Sequence, residues 1–286
     1  MAARRSVVVT GASTGIGWAC AKTLTDSGFH VFGSVRKQAD AERLSRELGA
    51  NFTPLIFDVT DKAAVAAGAK LVEAALGDET LFGLVNNAGI AVPGPLLYLK
   101  IDDFERQMAV NVTGQLIVTQ ALAPLLGADR ARRGPPGRIV MISSVGGKNA
   151  LPFAGPYAAS KFAIEGLSES LRRELMLFGI DVIVVAPGSV VTPIWDKTES
   201  DIEAFASTPY AAALKKMKSF MLAHAAKGLP PERLGEAVKK ALTIPRPKTR
   251  YTVAPNPFQT LLTNTLPKRV VDNMIARRIG LSRSLR

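Results

Sequence analysis

The sequence has little cysteine, few aromatic side chains and almost no histidine. Its 286 residues include one cysteine, Cys20, two histidines and only 6% aromatic residues. A single cysteine excludes an internal disulfide, so the composition gives no reason to expect a secreted, disulfide-stabilised fold. Neither His30 nor His224 has a cysteine or acidic cluster at ligand spacing, so we expect no metal site. A sizeable core is still expected, because 47% of the residues are hydrophobic.

The chain also lacks an obvious membrane span and an N-terminal targeting signal. Its longest uncharged stretch, Gln107–Ala128, contains polar side chains and a proline, among them Asn111 and Pro124. A spanning helix would bury these groups in hydrocarbon, so we expect a buried or interface helix instead. The first residues run directly into an apolar strand pattern without a basic-then-apolar signal. These features predict a cytoplasmic protein.

Acidic residues are scarce relative to basic ones. The formal net charge is +12, and residues 266–286 alone hold six basic residues against one acidic. Such a charge is compatible with nucleic acid, a membrane surface or an anionic ligand. No recognised nucleic-acid module accompanies the charge and aromatic residues are few, so we expect no nucleic-acid partner.

Short β-branched runs alternate with longer helical patterns along most of the chain. This alternation predicts a single α/β domain of Rossmann type, with about seven strands in a doubly wound parallel sheet. The predicted helices are Gly15–Ser27, Asp61–Leu76, Asp102–Leu126 and Tyr157–Phe178. The predicted strands are Ser6–Thr10, His30–Arg36, Phe52–Phe57, Leu81–Val85, Arg138–Ser143, Asp181–Ala186 and Arg250–Val253.

A glycine-rich loop follows the first predicted strand. The glycines Gly11, Gly15 and Gly17 open a helix, so backbone N–H groups and the helix dipole can face a pyrophosphate. A Cβ atom would obstruct the turn and the approach of the ligand. The same loop also fits a simple strand–helix turn, but its place at the first strand of an alternating chain favours dinucleotide binding.

Several motifs fall in register with the short-chain dehydrogenase/reductase family, which the chain resembles over about residues 5–195. Within that family, the sequence around Tyr157 looks most like the branch acting on retinols, hydroxysteroids and related lipophilic alcohols. Residues 194–286 carry no such motif. The matching motifs are Thr10–Gly17, Asn86–Gly89, Asn111 in NVTG, Ser144, Tyr157 with Lys161, and Pro187–Gly188.

The paired Tyr157 and Lys161 suit the interconversion of an alcohol and a carbonyl. A nicotinamide carries the hydride, so the protein must supply a proton donor or acceptor. Four residues apart on one helix, the two side chains share a face, and we expect the ammonium to lower the tyrosine pKa. Ser144 follows the fifth strand and can hold the substrate oxygen. By resemblance, Asn111 orients a proton-relaying water. The alternative readings are an exposed helix pair for Tyr157 and Lys161, a strand-end cap for Ser144 and a helix kink for Asn111.

The resemblance also implies how a nicotinamide nucleotide is held. Asp58 and Val59 would hold the adenine, and Asn86 with Ala88 would border its ribose. Tyr157 and Lys161 would contact the cofactor as well. The glycine-loop contacts are Gly11, Ser13, Thr14, Gly15, Ile16 and Gly17, and those closing over the nicotinamide are Pro187, Gly188 and Thr192.

The end of the second strand favours NADP over NAD. NAD enzymes place an acid there for the ribose hydroxyl, but here Val35 takes that position and no acid occurs before Asp40. The next residue, Arg36, can pair with a 2′-phosphate. Ser13 counts against this, since NADP enzymes of the family often carry a basic residue in its place.

The segment after Thr192 is predicted to be a helical substrate lid, over about residues 193–230. Aromatic and methionine side chains can adapt to a bulky apolar ligand, and we expect Trp195 to contact it, although the same residues can also pack short helices onto the body. We assign residues 1–255 to the catalytic domain and 256–286 to a basic helical extension. That extension suits a helix on an anionic membrane surface, and equally one docked on the protein. The lid residues are Ile194, Trp195, Phe205, Tyr210, Met217, Phe220 and Met221.

The function predicted is an oxidoreductase acting on a lipophilic secondary alcohol or ketone. One alternative is a 3-oxoacyl-thioester reductase, whose anionic carrier would suit the basic surface, although the extra length after Pro193 argues against it. Another is a non-catalytic cofactor sensor or scaffold, against which the full set of polar motif residues argues.

A homodimer or homotetramer is also expected, because Gln107–Ala128 and Tyr157–Phe178 are too apolar to leave exposed and their counterparts in the family pack across a twofold axis.

Overall fold

The computed structural model describes residues 5–195, 203–225, 227–256 and 265–281. Seven parallel strands form one sheet, in the order β3-β2-β1-β4-β5-β6-β7. The predicted doubly wound Rossmann fold is confirmed, and its order reverses between β1 and β4, where such sheets bind ligands. The strands are β1 Ser6–Val9, β2 His30–Val35, β3 Phe52–Ile56, β4 Gly83–Asn86, β5 Arg138–Ile142, β6 Asp181–Pro187 and β7 Arg250–Val253.

Helices cover both faces of the sheet. Along β1, Val7 and Val9 pack into one hydrophobic cluster while Val8 packs into the other, and all three are fully buried. Strands buried on both faces explain the nearly continuous apolar runs in the sequence. The α-helices are α1 Gly15–Asp26, α2 Gln38–Leu48, α3 Lys62–Leu76, α4 Ile101–Met108, α5 Gly114–Leu122, α6 Gly155–Glu174, α7 Ala211–Ala225, α8 Glu232–Thr243 and α9 Lys268–Ile279.

The long helix predicted over Asp102–Leu126 is present but is not regular. It consists of α4, a π-helical turn at Ala109–Thr113 and α5, and a second π turn follows at Pro124–Ala128. Wide turns of this kind frequently mark functional sites. The predictions also omitted α2 and α8, both of which contribute residues to one of the hydrophobic clusters.

Part of the positive charge stabilises the fold. Arg132 pairs with Glu73 of α3 at 2.6 Å. Arg138, at the start of β5, donates to the carbonyls of Ala241 and Leu242 near the end of α8, at 3.0 and 2.9 Å. A cation at a helix C-terminus satisfies carbonyls that have no partner within the helix. These arginines are therefore structural, and their clustering gives no support to a nucleic-acid surface.

Candidate active site

Ser144, Tyr157 and Lys161 lie together at the carboxyl edge of the sheet. Helix α6 begins two residues before Tyr157 and carries Lys161 one turn later. The Lys161 Nζ atom lies 5.5 Å from the centre of the Tyr157 ring and donates to the carbonyl of Ile142, the last residue of β5, at 2.9 Å. Ser144 and Tyr157 are joined by a side-chain hydrogen bond. The Ser144 Oγ also accepts from the N–H of Gly146 at 3.0 Å, which fixes its orientation.

Burial moves both titratable groups towards their neutral forms. Desolvation raises the pKa of Tyr157 above its ordinary value of 10.0, although the hydrogen bond with Ser144 acts in the opposite direction. Desolvation also lowers the pKa of Lys161 to about 8, against the effect of the nearby Glu165 carboxylate. The expectation of a lowered tyrosine pKa is therefore wrong for the protein alone, because burial dominates. At neutral pH Tyr157 is protonated, as a proton donor must be.

A partly buried ion pair lies next to this group and was missed by the sequence reasoning. Glu165, one turn after Lys161 in α6, pairs with Arg250 of β7 through Nε–Oε2 and Nη2–Oε1 distances of 3.0 and 3.1 Å. The hydroxyl of Ser143 donates to the same carboxylate at 2.7 Å. The pair is little exposed, at 20% for the arginine and 17% for the glutamate side chain. It links β5, α6 and β7 beside Lys161.

Asn111 lies in the π turn and braces two neighbouring segments. Its Oδ1 accepts from the N–H of Ile90 at 2.8 Å, and its Nδ2 donates to the Ile90 carbonyl and to Ser160 Oγ, both at 3.0 Å. Gln107, which the predictions did not single out, adds bonds to the Ile90 carbonyl and the N–H of Val92. The helix deformation expected as an alternative is present. The proton-relay role of Asn111 stays a prediction.

The glycine loop has the shape that a pyrophosphate needs. Gly11 and Gly15 have φ angles of +65° and +58°, and a Cβ at Gly17 would lie 2.1 Å from the Gly11 carbonyl oxygen. Thr14 precedes α1 without capping it, so the first N–H groups of the helix have no side-chain partner at their N-cap. Unsatisfied N–H groups and the helix dipole favour an anion at this position. The loop, which includes Ser13 and Ile16, therefore fits a dinucleotide phosphate.

Three side chains hold the loop in place. The N–H of Gly11 donates to Ser34 Oγ of β2 at 3.0 Å. Arg43 of α2 donates to the Ser13 carbonyl at 2.6 Å. Asn87, between the two predicted residues of its motif, donates through Nδ2 to the Thr10 carbonyl at 2.9 Å. The loop is thus braced from β2, α2 and the end of β4.

The predicted adenosine contacts are only partly at the surface. Arg36 is 72% exposed and its Nη1 lies 3.9 Å from Asp58 Oδ2. Although desolvation raises the pKa of Asp58, hydrogen bonds from Thr60 and the charge of Arg36 leave it below its ordinary value. Val59 is 5% exposed and Ala88 is partly buried.

Asn86 corrects one prediction. It is fully buried, and its Nδ2 donates to Thr119 Oγ1 at 2.8 Å and to Met141 Sδ at 3.3 Å. The side chain therefore points into the layer between β4 and α5, away from any nucleotide, because the last residue of a central strand is still covered by its neighbours. The neighbouring Asn87 lies on the active-site cavity instead.

The residues predicted for the nicotinamide end share one cavity with the tyrosine group. The cavity has a volume of about 440 Å³. Thr192 packs against the glycine loop, since a Cβ at Gly15 would lie 3.2 Å from its methyl carbon. The N–H of Gly188 donates to the Val253 carbonyl of β7 at 2.8 Å, which holds this turn against the sheet. The lining includes Ile16, Ser144, Tyr157, Lys161, Pro187, Gly188 and Thr192.

Comparison with known proteins agrees with this geometry. The family model described as short chain dehydrogenase matches residues 5–203. The chain belongs to the short-chain dehydrogenase family. An NADPH-dependent 3-dehydrocapnine reductase from Ornithobacterium rhinotracheale is 36% identical over 271 residues, covering 94% of this chain and 95% of the relative. Retinol dehydrogenase 5 from Homo sapiens is 36% identical over 261 residues, covering 86% and 79%.

A solved structure extends the likeness to the whole fold. A short-chain dehydrogenase from Streptomyces avermitilis superimposes with a TM-score of 0.78 at 25% identity, covering 99% of each chain. This short-chain dehydrogenase is accordingly an NAD(P)-dependent oxidoreductase, and its relatives include enzymes named as retinol dehydrogenases and reductases.

The lid predicted for this short-chain dehydrogenase divides into two parts. Ile194, Phe220 and Met221 line the active-site cavity. Met217 is only 2% exposed, and the ring of Tyr210 packs at 5.7 Å from that of Phe153. The first part borders the cavity and the second packs the segment on the body. The role of the segment as a substrate lid stays a prediction. The side chain of Trp195 and residues 196–202 lie outside the described part of the chain.

The C-terminal helix α9 of the dehydrogenase docks on α7. Val271 and Ile279 are buried, and the guanidinium of Arg278 stacks 4.5 Å from the centre of the Phe220 ring. On the other side of the helix Val270 and Met274 are 44% and 58% exposed. Within the described ranges, no helix combines the length and the apolar character needed to cross a bilayer. Surface contact with a membrane stays a prediction.

Cys20 belongs to the core of α1. It is fully buried, and desolvation raises the pKa of its thiol to about 12. A thiol with so high a pKa forms almost no thiolate, so it is unsuited to nucleophilic chemistry. In the residues that the structure describes, no group of three or more histidine, cysteine and acidic side chains is placed to hold a metal ion.

Proposed function

We propose that this short-chain dehydrogenase is an NADPH-dependent reductase of lipophilic ketones, able to oxidise the corresponding secondary alcohols in reverse. The observation that carries the proposal is the hydrogen-bonded pair of Ser144 and Tyr157, with Lys161 beside it, opening on a cavity of about 440 Å³. Phe220 and Met221 give that cavity an apolar side suited to a bulky hydrocarbon substrate.

The charge state of the tyrosine in the protein alone suits the reductive direction. Because the pKa of Tyr157 is raised, the hydroxyl carries its proton at neutral pH and can donate it to a carbonyl oxygen. Ser144 holds that oxygen near the hydroxyl. A nicotinamide nucleotide, when bound, supplies the hydride. Oxidation of an alcohol needs the phenolate instead, which burial opposes, so we expect it to require more alkaline solution.

Lys161 stabilises the tyrosinate that remains after proton donation. Its pKa of about 8 leaves it mostly charged at neutral pH. An ammonium 5.5 Å from the ring centre favours the anion, and the short bond to the Ile142 carbonyl keeps the group in place. Asn111, through its bonds to Ile90 and Ser160, fixes the helix turn behind this pair.

The preference for NADPH over NADH is assigned to Arg36. Its guanidinium is exposed at the end of β2, and its contact with Asp58 is long, so it can turn towards a 2′-phosphate. The relative from Ornithobacterium rhinotracheale carries the same cofactor in its name.

A matched substrate screen tests the proposal. Consumption of NADPH and of NADH is followed with steroid, retinoid, long-chain and small aryl ketones, and with 3-oxoacyl thioesters. The proposal expects NADPH-dependent turnover, with kcat/KM rising with the apolar size of the ketone. Faster turnover of thioesters would favour the acyl-carrier alternative, and cofactor binding without turnover of any carbonyl would favour a sensor or scaffold.

We also propose that the enzyme forms a dimer or tetramer through α4 and α6. Phe162 is 45% exposed on α6, and Gly166, one turn later, faces open space that a second helix could enter. Ile101 of α4 is 69% exposed. The apolar side chains of Gln107–Ala128 pack largely within the chain, so that stretch contributes less than the sequence indicated. Sedimentation showing a stable monomer at micromolar concentration would contradict the proposal, and Phe162→Glu should dissociate the assembly.

A further inference from the structure

A second cavity lies where α7 meets α9, next to the active-site cavity. Three of the six side chains that line it are cationic, and we call it the basic cleft. Helix α7 supplies most of it, and α9 supplies one arginine. The basic cleft is lined by Lys215, Lys216, Ser219, Phe220, Ala223 and Arg278.

Among the residues that the structure describes, the cations of the basic cleft have no acidic partner. Between Glu203 and Glu232 the sequence contains four lysines and no acidic residue. In the part of the chain that the structure describes, no carboxylate lies within ion-pair distance of Lys215, Lys216 or Arg278. Several arginines elsewhere, among them Arg43, Arg132 and Arg250, pair with carboxylates. Three cations around one concave surface create a positive potential that an anion complements.

Phe220 connects the basic cleft to the active site, because its side chain lines both cavities. The Arg278 guanidinium stacks on this ring at 4.5 Å, which holds one of the three cations at the boundary. A molecule whose carbonyl lies at Tyr157 and whose chain passes the edge of the Phe220 ring would reach the cations.

We propose that the basic cleft binds the anionic head group of an amphiphilic substrate. A carboxylate, sulfonate or phosphate would lie between the two lysines and Arg278, while the hydrocarbon part and the carbonyl occupy the active-site cavity. This substrate class rests on the carbonyl reduction proposed above. Charge-assisted hydrogen bonds from lysine and arginine are the contacts that such head groups favour.

The direct test compares acids with their methyl esters. The substrates are oxostearates that differ in the position of the ketone, each beside its methyl ester, measured at low ionic strength. At the best ketone position kcat/KM should be about tenfold higher for the acid than for the ester, mainly through KM, because partly exposed ion pairs are modest and screened by salt. An equal kcat/KM for acid and ester at every position would overturn the proposal.

Charge-matched variants assign the effect to the basic cleft. The combined variant Lys215→Gln and Lys216→Gln should lose most of the preference for the acid and leave turnover of the ester unchanged, because Arg278 and its contact with Phe220 are kept. The control, with the same loss of charge on α3, should keep the preference. Loss of the preference in both variants would indicate a general field effect and contradict the assignment. The control variant combines Lys62→Gln and Lys70→Gln.

Binding measurements separate this idea from the proposed function and from a membrane surface. Laurate and lauryl alcohol, neither of which has a ketone, are titrated by calorimetry against the wild type and both variants. If the wild type binds laurate more tightly than lauryl alcohol and only the basic-cleft variant loses this difference, the head-group site is supported even if no ketone is reduced. The opposing outcome is binding to phosphatidylglycerol vesicles that depends on the basic cleft, while the enzyme turns over acid and ester equally and binds laurate and lauryl alcohol equally. The cations would then serve a lipid surface, and the proposal would be overturned.

Discussion

Replacing Glu165 with glutamine should move the alkaline loss of carbonyl reduction to lower pH. Glu165 is the carboxylate that raises the pKa of Lys161 against desolvation, and the balance leaves that pKa at about 8. The glutamine keeps the shape of the side chain and can still accept from Ser143, but it carries no charge. The Arg250 guanidinium, now without its carboxylate, also disfavours a second cation nearby.

The magnitude follows from the position of Glu165. A neighbouring opposite charge shifts a pKa by about 1–3 units, and the lower end applies here because Glu165 acts on Lys161 through its charge without a direct ion pair. The pKa of Lys161 should therefore fall from about 8 to roughly 7. A lysine is charged below its pKa and loses its charge as the pH rises through it. In the variant, the ammonium that stabilises the tyrosinate is therefore lost at a lower pH than in the wild type. Reduction should accordingly decline about one pH unit earlier.

The assay is the pH dependence of kcat/KM for NADPH-dependent ketone reduction. Glu169→Gln, one turn farther along the same helix and exposed, is the matched control and should leave the alkaline limb in place. The double variant Glu165→Gln with Arg250→Gln removes both charges and should restore the limb most of the way to the wild-type position. The reasoning is refuted if the Glu165 variant and the wild type decline at the same pH.

Three further substitutions test other parts of the site. Arg36→Asp should turn the cofactor preference from NADPH towards NADH by at least about tenfold, while Arg46→Asp on α2 should not; a wild type that already prefers NADH would contradict this. Gly17→Ala should displace the loop and so weaken binding of either nucleotide, since a Cβ would lie 2.1 Å from the Gly11 carbonyl oxygen; normal binding by calorimetry, with the fold checked by circular dichroism, would contradict the assignment of the loop as the phosphate site. Met221→Ala should raise KM for bulky ketones far more than for small ones, and equal effects would remove it from the lid.

The strands were predictable because β-branched runs buried on both faces leave a clear signal. Each of the seven lies within a residue or two of its predicted position, and β7 matches at both ends. The widened helix around Asn111 was not predictable from local periodicity. Its π turn is held by bonds from Asn111 to Ile90 and Ser160, residues that lie 21 and 49 positions away in the sequence.

Motif spacing predicted that Ser144, Tyr157 and Lys161 lie together at the sheet edge, but it did not predict the neighbouring Glu165–Arg250 ion pair. Ser144, Tyr157 and Lys161 follow a strand or share a helix face, so their proximity can be inferred from order along the chain. Glu165 and Arg250 are 85 residues apart and meet only because β7 lies beside β6. Asn86 shows the converse case, since a polar motif residue is buried and serves the packing of β4 on α5.

The packing of the C-terminal helix on the lid was also beyond the sequence. The interleaved basic and apolar residues of α9 are equally suited to a membrane surface or to the protein, and only the position of α7 decides which apolar side chains are covered. The contact of Arg278 with Phe220, and with it the basic cleft, depends on this tertiary arrangement.

The most direct test of the proposed mechanism is the Tyr157→Phe variant. Phenylalanine fills the same space beside Lys161 and lacks only the hydroxyl that donates the proton. Ketone reduction should fall by about a thousandfold, the scale of general acid–base catalysis, while NADPH binding measured by fluorescence titration stays as in the wild type. Near-normal turnover by this variant, with the substrate that the wild type prefers, would contradict the assignment of Tyr157 as the proton donor.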